Sequence, residues 1–226
     1  MKWDAIGESL DAQGWAILPG LVTEKDCAAL KAVYADAARF RSKVVMARHG
    51  FGKGEYQYFA YPLPPLVEKL RTTLYPPLAQ IANRWQAAME MDFRFPDAHA
   101  DYLAHCHAAG QARPTPLLLS YQAGDYNCLH QDLYGAESFP LQATILLSQP
   151  GDDFSGGEFV MTEQRPRMQS KAAVIPLALG DAVVFAVNQR PVKGTRGIYR
   201  VRHRHGVSMV TQGKRMTMGL IFHDAA

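Results

Sequence analysis

From Thr115 onward the chain sets short apolar runs between Gly, Pro and Asp: Leu117–Tyr121, Cys128–Asp132, Gln142–Leu147, Gly157–Met161, Ala182–Phe185, His203–Val210 and Arg215–Phe222. Runs of this length, with turn residues at roughly 8–15-residue intervals and no helical period between them, predict strands of an antiparallel sandwich or barrel. A jelly roll is the expected form, because its mouth can hold a ligand between two sheets. Before Thr115 the pattern differs. Thr23 is placed to cap a helix reaching about Arg39, with Glu24 and Asp26 in its first turn. Further helical runs span Leu66–Met91 and Ala98–Ala109. Between the helix that Thr23 caps and the Leu66–Met91 run, Lys43–Tyr61 holds Val44–Met46 and Tyr56–Phe59 around glycine-rich turns, the pattern of a strand pair. The expected fold class is mainly β with flanking helices (α+β). It is read as a single domain over 1–226, in which a mainly helical N-terminal buttress (1–114) supports a jelly-roll core (115–226).

Composition narrows the setting. At 226 residues and 48% hydrophobic, the chain can bury one sizeable core. No apolar run approaches the roughly 20 residues that cross a bilayer, and Met1-Lys2-Trp3-Asp4 lacks the apolar region of a secretory signal. The three cysteines, Cys27, Cys106 and Cys128, form no CxxC pair, which argues against a disulfide framework or a structural zinc. A reducing cytoplasm is the expected compartment. A net charge of +3 does not by itself imply a nucleic-acid partner. The charge is uneven, however: Arg190, Lys193, Arg196, Arg200, Arg202, Arg204, Lys214 and Arg215 follow one another with no Asp or Glu among them. That segment is either a solvated loop and strand edge or a rim that contacts phosphates.

The candidate chemistry starts at His130-Gln131-Asp132. Residues two apart on a strand share a face, so His130 and Asp132 can grip one ion. A histidine from a distant strand would complete a two-histidine, one-carboxylate set, which leaves three positions of an octahedral iron open. His203 and His205 both qualify, and periodicity does not choose between them. Arg215 and Thr217 also share a face, where a guanidinium offers a bidentate grip on a carboxylate and the hydroxyl a further hydrogen bond. His105 and His107 sit two apart on a helix, do not share a face, and read as structural. His223 reads as a strand-end residue; His49 and His99 carry no signal.

Further motifs fall in order around these residues. Asp152–Phe159, containing Gly156-Gly157-Glu158, and the Gly180-Asp181 turn leading into Ala182–Phe185 are similar to segments of the Fe(II)/2-oxoglutarate-dependent dioxygenase superfamily. The likeness covers about residues 115–224. It implies the double-stranded β-helix fold, Fe(II) held by His130, Asp132 and His205, and 2-oxoglutarate and O2 as co-substrates. His205 is selected because the family pattern sets Gly-Val directly after the ligand, here Gly206-Val207. Arg215 and Thr217 would then bind the C5 carboxylate of 2-oxoglutarate. Tyr121, nine residues before His130, either reaches the co-substrate, as a tyrosine does in related enzymes, or packs in the sheet.

The substrate is less sharply marked. Leu129–Asp132 with Tyr121-x-x-Gly124 resembles the AlkB type of nucleic-acid repair oxygenase, although Leu119 stands where that type has asparagine. The segment from His205 to Arg215 is closer to the prolyl-hydroxylase type. Gly157–Ser170 resembles a bacterial branch assigned to oxidative demethylation of damaged DNA. That resemblance implies action on alkylated bases reaching the iron single-stranded or flipped from the duplex. Arg165, Arg167 and the Arg190–Arg204 segment would contact phosphates, and Tyr126, Tyr134, Phe139 or Tyr199 would stack on bases. Two other readings remain: hydroxylation of a prolyl residue, another protein site or a small molecule, and an iron-binding sensor without turnover. Arg215-x-Thr217 argues against the sensor, which has no need of a co-substrate clamp.

Overall fold

The structure is a computed structural model that describes residues 1–195 and 197–226; Arg196, one of the basic residues singled out above, lies outside them. Four helices, α1 (Trp3–Gln13), α2 (Glu24–Val33), α3 (Pro65–Ala88) and α4 (His99–Ala108), pack against two antiparallel sheets. The large sheet runs β1 (Trp15–Leu18), β11 (Ala182–Ala186), β7 (Leu141–Leu146), β14 (Val210–Leu220), β5 (Leu117–Gln122), β4 (Glu55–Phe59), β2 (Phe40–Val45), with β8 (Phe154–Gly156) also on β14. The small sheet runs β10 (Lys171–Ile175), β9 (Phe159–Gln164), β13 (Gly197–Val207), β6 (Tyr126–His130), β3 (Gly52–Lys53), with β12 (Gln189–Gly194) on the far half of β13. This is the jelly roll that the strand spacing predicts.

The central strands β7 and β11 of the large sheet are buried on both faces, so they read as nearly continuous apolar runs rather than as alternation. Alternate residues still go to different places. Leu141, Ala143 and Ile145 of β7 and Met216, Met218 and Leu220 of β14 join Leu74, Leu78, Ala82 and Trp85 of α3 in the main core. The intervening residues, Gln142, Thr144, Arg215 and Thr217, face the small sheet. The helices therefore stiffen one side of the sheet that carries half of the site.

The N-terminal region contributes strands to the sheet as well as helices that pack on it. It supplies β1, paired to β11, and β2 and β4, which extend the large sheet beyond β5. Thr23 caps α2 as expected: its hydroxyl accepts from Asp26 N at 3.1 Å while the Asp26 carboxylate accepts from Thr23 N at 3.3 Å, a reciprocal capping box. That helix ends at Val33 rather than at Arg39, and α1, β1, β3, β8, β10 and β12 lie outside the runs that the sequence pattern predicts. The carboxyl end is anchored by Arg71 of α3. Its guanidinium donates to the carbonyls of Ile221 and His223 and pairs with Asp224 at 2.7 Å, all buried. No helix among the described residues is long and apolar enough to cross a membrane.

Candidate active site

His205 and His130 are direct cross-strand partners on β13 and β6, with ring centroids 4.2 Å apart. Directly opposed residues in an antiparallel pair hold their side chains on one face, and this pairing brings the two imidazoles together. Gly206, just beyond His205, allows β13 to press this close: a Cβ there would lie 2.6 Å from Asn127 O. Asp132 is not on β6, which ends at His130, so the shared-face argument for His130 and Asp132 does not hold as stated. The chain turns after the strand, and Asp132 still arrives with Oδ1 3.5 Å from His130 Nε2 and Oδ2 3.3 Å from His205 Nε2.

One donor atom from each of the three residues lies within 4.8 Å of the others. His130 Nδ1 sits 2.8 Å from the Cys128 carbonyl, which only accepts, so the proton is on Nδ1 and Nε2 keeps its lone pair toward the centre of the cluster. Burial pushes the Asp132 carboxyl up, but the hydrogen bond and charge of His205, the charge of His130 and the Tyr134 hydroxyl outweigh it and hold the group well below the usual carboxylate range. Burial, with His130 close by, lowers His205. A buried carboxylate held in its ionised form between two imidazoles is the donor set that suits a divalent iron, so the residues present fit that metal.

Two further residues support Asp132. Tyr134 Oη donates to Oδ1 at 2.7 Å and Gln142 Nε2 donates to Oδ2 at 2.8 Å. Tyr58 Oη in turn donates to Tyr134 Oη at 3.0 Å. Sequence reasoning assigned Tyr134 to base stacking and did not find Gln142. The available signal for Gln142 was a glutamine inside the fully buried run Leu141–Leu146, since a buried amide needs a partner.

The cluster lies in a cavity of about 320 Å³ between the sheets, lined on the large-sheet side by Tyr56, Leu119, Tyr121, Thr144 and Thr217. Arg215 stands two residues from Thr217 on β14, opposite Tyr121 on β5. It is 1% exposed and opens on an adjoining cavity of about 240 Å³; Phe159 lines both cavities. Burial pushes its guanidinium down to about 10, against the pull of Tyr121 and Glu158, so it stays cationic at neutral pH. Its Nε and Nη1 have no hydrogen-bond partner among the described residues. A buried cation with orphaned donors is costly unless an anion meets it, and the C5 carboxylate of 2-oxoglutarate has the matching charge and fork geometry. Tyr121 packs with its ring centroid 5.7 Å from the Arg215 guanidinium, and its hydroxyl accepts from Asn127 Nδ2 at 3.3 Å.

Several expected contacts are placed elsewhere. His203 shares the face of His205 but accepts from Arg190 Nε at 3.1 Å, away from the cluster. Arg190 is 1% exposed and is held by Glu163 and by the carbonyls of Asp11 and Ala12. Arg190 and the buried Arg215 therefore cannot serve a phosphate rim. Arg202 and Arg204 are exposed because they alternate with the buried His203 and His205, which turns them to the outer face of the small sheet. Arg200 donates to the Met89 carbonyl, and Arg165 pairs with Glu163. Phe139 is wholly buried in the main core and offers no stacking face. His105 and His107 are structural as read, bound to Glu137 and Asp224.

Comparison with known proteins supports this reading. Residues 54–225 match the family model Oxygenase-NA, described as an oxygenase catalysing oxidative methylation of damaged DNA. An uncharacterized protein of Mycobacterium tuberculosis (strain ATCC 25618 / H37Rv), Rv2227, is 49% identical over 168 residues, covering 74% of this chain and 72% of the relative. Among solved structures, an oxidoreductase of the 2OG-Fe(II) oxygenase family from Burkholderia pseudomallei superposes with a TM-score of 0.56 at 16% identity, covering 100% of this chain and 93% of the other. The non-heme alpha ketoglutarate dependent epimerase SnoN from nogalamycin biosynthesis gives 0.57 at 15% identity, covering 96% and 80%. Such distant likenesses establish the fold. With the family match spanning most of the chain and the histidine–aspartate cluster in place, the protein belongs to the Oxygenase-NA family and is an oxygenase of the Fe(II)/2-oxoglutarate-dependent superfamily.

Proposed function

We propose that this enzyme removes methyl groups from alkylated bases in DNA by oxidation, with His130, Asp132 and His205 holding Fe(II) and Arg215 and Thr217 holding the C5 carboxylate of 2-oxoglutarate. The observation that carries the chemistry is the orphaned Arg215 guanidinium, buried next to a two-histidine, one-carboxylate cluster. The substrate class is supported by the family description, which names damaged DNA. An oxygenase brings no methyl donor, so the reaction on a methylated base that fits is loss of the methyl group. Bound iron would supply the oxidising chemistry, in which O2 and 2-oxoglutarate become succinate, carbon dioxide and one oxygen atom inserted into a C–H bond. On an N-methyl group the product is an N-hydroxymethyl base, which releases formaldehyde and leaves the N–H.

The chain's own residues do the positioning. Tyr134 and Gln142 fix the Asp132 carboxylate, and the Cys128 carbonyl fixes the His130 tautomer. Phe159 and Phe185 pack on the His205 ring, at 5.9 and 4.5 Å between centroids, and keep water from it. Leu117, Leu119 and Tyr56 leave an apolar wall for a planar substrate. The test is turnover of 2-oxoglutarate with methylated single-stranded DNA, measuring succinate and formaldehyde, with Asp132→Ala as the blank. Equal yields of both products are expected. Turnover coupled to peptides and never to methylated oligonucleotides refutes the substrate assignment.

A further inference from the structure

The segment between β2 and β4 crosses from the outer edge of the large sheet to the outer edge of the small one. It pairs as β3 with β6 and returns, so it straps the mouth of the iron cavity. Its backbone is fastened at both levels. Met46 N donates to Gly54 O at 3.0 Å, Phe51 N to Met46 O at 3.2 Å, and Cys128 N of β6 to Phe51 O at 2.9 Å. The last bond ties the strap two residues from His130. Gly50 and Phe51 line the cavity, yet the Phe51 side chain is 48% exposed. It lies against His49, with ring centroids 5.3 Å apart and planes 22° from parallel.

Two flat rings, stacked and half open to solvent at the mouth of an apolar cavity, form a platform for a third flat ring. The charge around them favours one kind of molecule. From Phe40 to Gly54 the chain carries Arg41, Lys43, Arg48 and Lys53 and no Asp or Glu. Lys43 is paired with Glu55, whereas Arg48 and Lys53 are exposed and have no acidic partner among the described residues. Arg41 sits with its guanidinium 4.5 Å over the Tyr58 ring, whose hydroxyl reaches the cavity-lining Tyr134. Arg48 and Lys53 thus lie on the strap that borders the mouth, whereas the exposed Arg202 and Arg204 lie on the outer face of the small sheet.

We propose that the strap Val45–Gly54 is the element that engages the nucleic acid: Phe51, backed by His49, stacks on the target base or its neighbour, and Arg48 and Lys53 contact the flanking phosphates. This inference rests on the reading that the substrate is a nucleic acid and identifies the surface that receives it. Stacking on an aromatic side chain tolerates any base, so the strap selects for an unpaired strand rather than for sequence.

The test uses the full chain and a fluorescent single-stranded oligonucleotide carrying one methylated base, with anisotropy titrations at several salt concentrations. Phe51→Ala and Phe51→Leu should each weaken binding by about 5- to 150-fold, and Phe51→Trp should restore it, because stacking needs a π-face and not merely an apolar group. Arg48→Ala/Lys53→Ala should flatten the dependence of log affinity on log salt by about 1.4, at about 0.7 per phosphate contact on a single strand. If the wild-type protein binds and demethylates the oligonucleotide while Phe51→Leu and the double variant behave as wild type, the strap assignment is overturned and the substrate reading stands. If the wild-type protein binds no oligonucleotide and turns over a peptide instead, both fall together.

Discussion

Tyr134→Phe isolates the support of the candidate metal ligand Asp132. The change deletes one hydroxyl, whose 2.7 Å hydrogen bond ends on Oδ1 of an ionised carboxylate. It leaves the ring in place, edge-on to Tyr58 at 6.0 Å and 88°. Hydrogen bonds to charged groups contribute about 1.5–3 kcal/mol. Loss of an outer partner of a metal ligand typically costs about 10–100-fold in metal affinity, or about 1.4–2.7 kcal/mol. The two figures agree, so Tyr134→Phe should bind Mn(II), a redox-inert stand-in for Fe(II), about 10–100-fold more weakly. Anaerobic calorimetric titration reads this directly. Tyr58→Phe is the control: it removes the bond to Tyr134 at 3.0 Å but leaves the Tyr134–Asp132 bond intact, and should change affinity little. Wild-type Mn(II) affinity in Tyr134→Phe refutes the argument. Equal losses in both variants assign the effect to packing between the two tyrosines instead.

Arg215→Met removes a buried cation whose Nε and Nη1 are unpartnered, so without ligand it should melt at or above the wild-type temperature. It should also lose the stabilisation that 2-oxoglutarate gives the wild type, and a large fall in the melting temperature of the ligand-free variant contradicts the assignment. Gly157 has φ +64°, and a Cβ there would lie 2.9 Å from Arg215 Cδ. Gly157→Ala should therefore raise the KM for 2-oxoglutarate severalfold by displacing the guanidinium, an effect absent if Arg215 does not hold the co-substrate. Burial, with Arg71 beside the first two and Arg190 beside the third, lowers His99, His223 and His203 each to about 4. The unfolded chain binds these protons near pH 6.5, so stability should be full above about 6.5, fall toward pH 4 and change no further below it on their account. Urea unfolding at pH 7, 5.5 and 4.5 measures this, and equal stability at pH 7 and 4.5 rules it out. Arg71→Met would leave Asp224 buried without its cation and should cost about 3–5 kcal/mol by the same unfolding assay.

The order of chemical groups along the chain was legible because each is a local pattern. Strand-length apolar runs separated by turn residues announce a jelly roll. His130-x-Asp132, His205-Gly206-Val207 and Arg215-x-Thr217 carry their relative spacing with them, and two adjoining cavities that share Phe159 receive all of them. What each basic or aromatic side chain faces was not legible, since that depends on which strands become neighbours and in what register. The run from Arg190 to Arg215 looks uniform in the sequence, yet alternation along β13 turns Arg202 and Arg204 outward. The fold buries Arg190 against Glu163 and Arg215 beside the candidate co-substrate site. Gln142 became a partner of Asp132 only once β7 and the segment after β6 met across the cavity. Phe51, unremarkable in a glycine-rich stretch, reached the mouth because β3 joined the edge of the small sheet. Local periodicity and short motifs are properties of the chain. Facing, burial and partnership belong to long-range pairing, and the tertiary structure alone decided them.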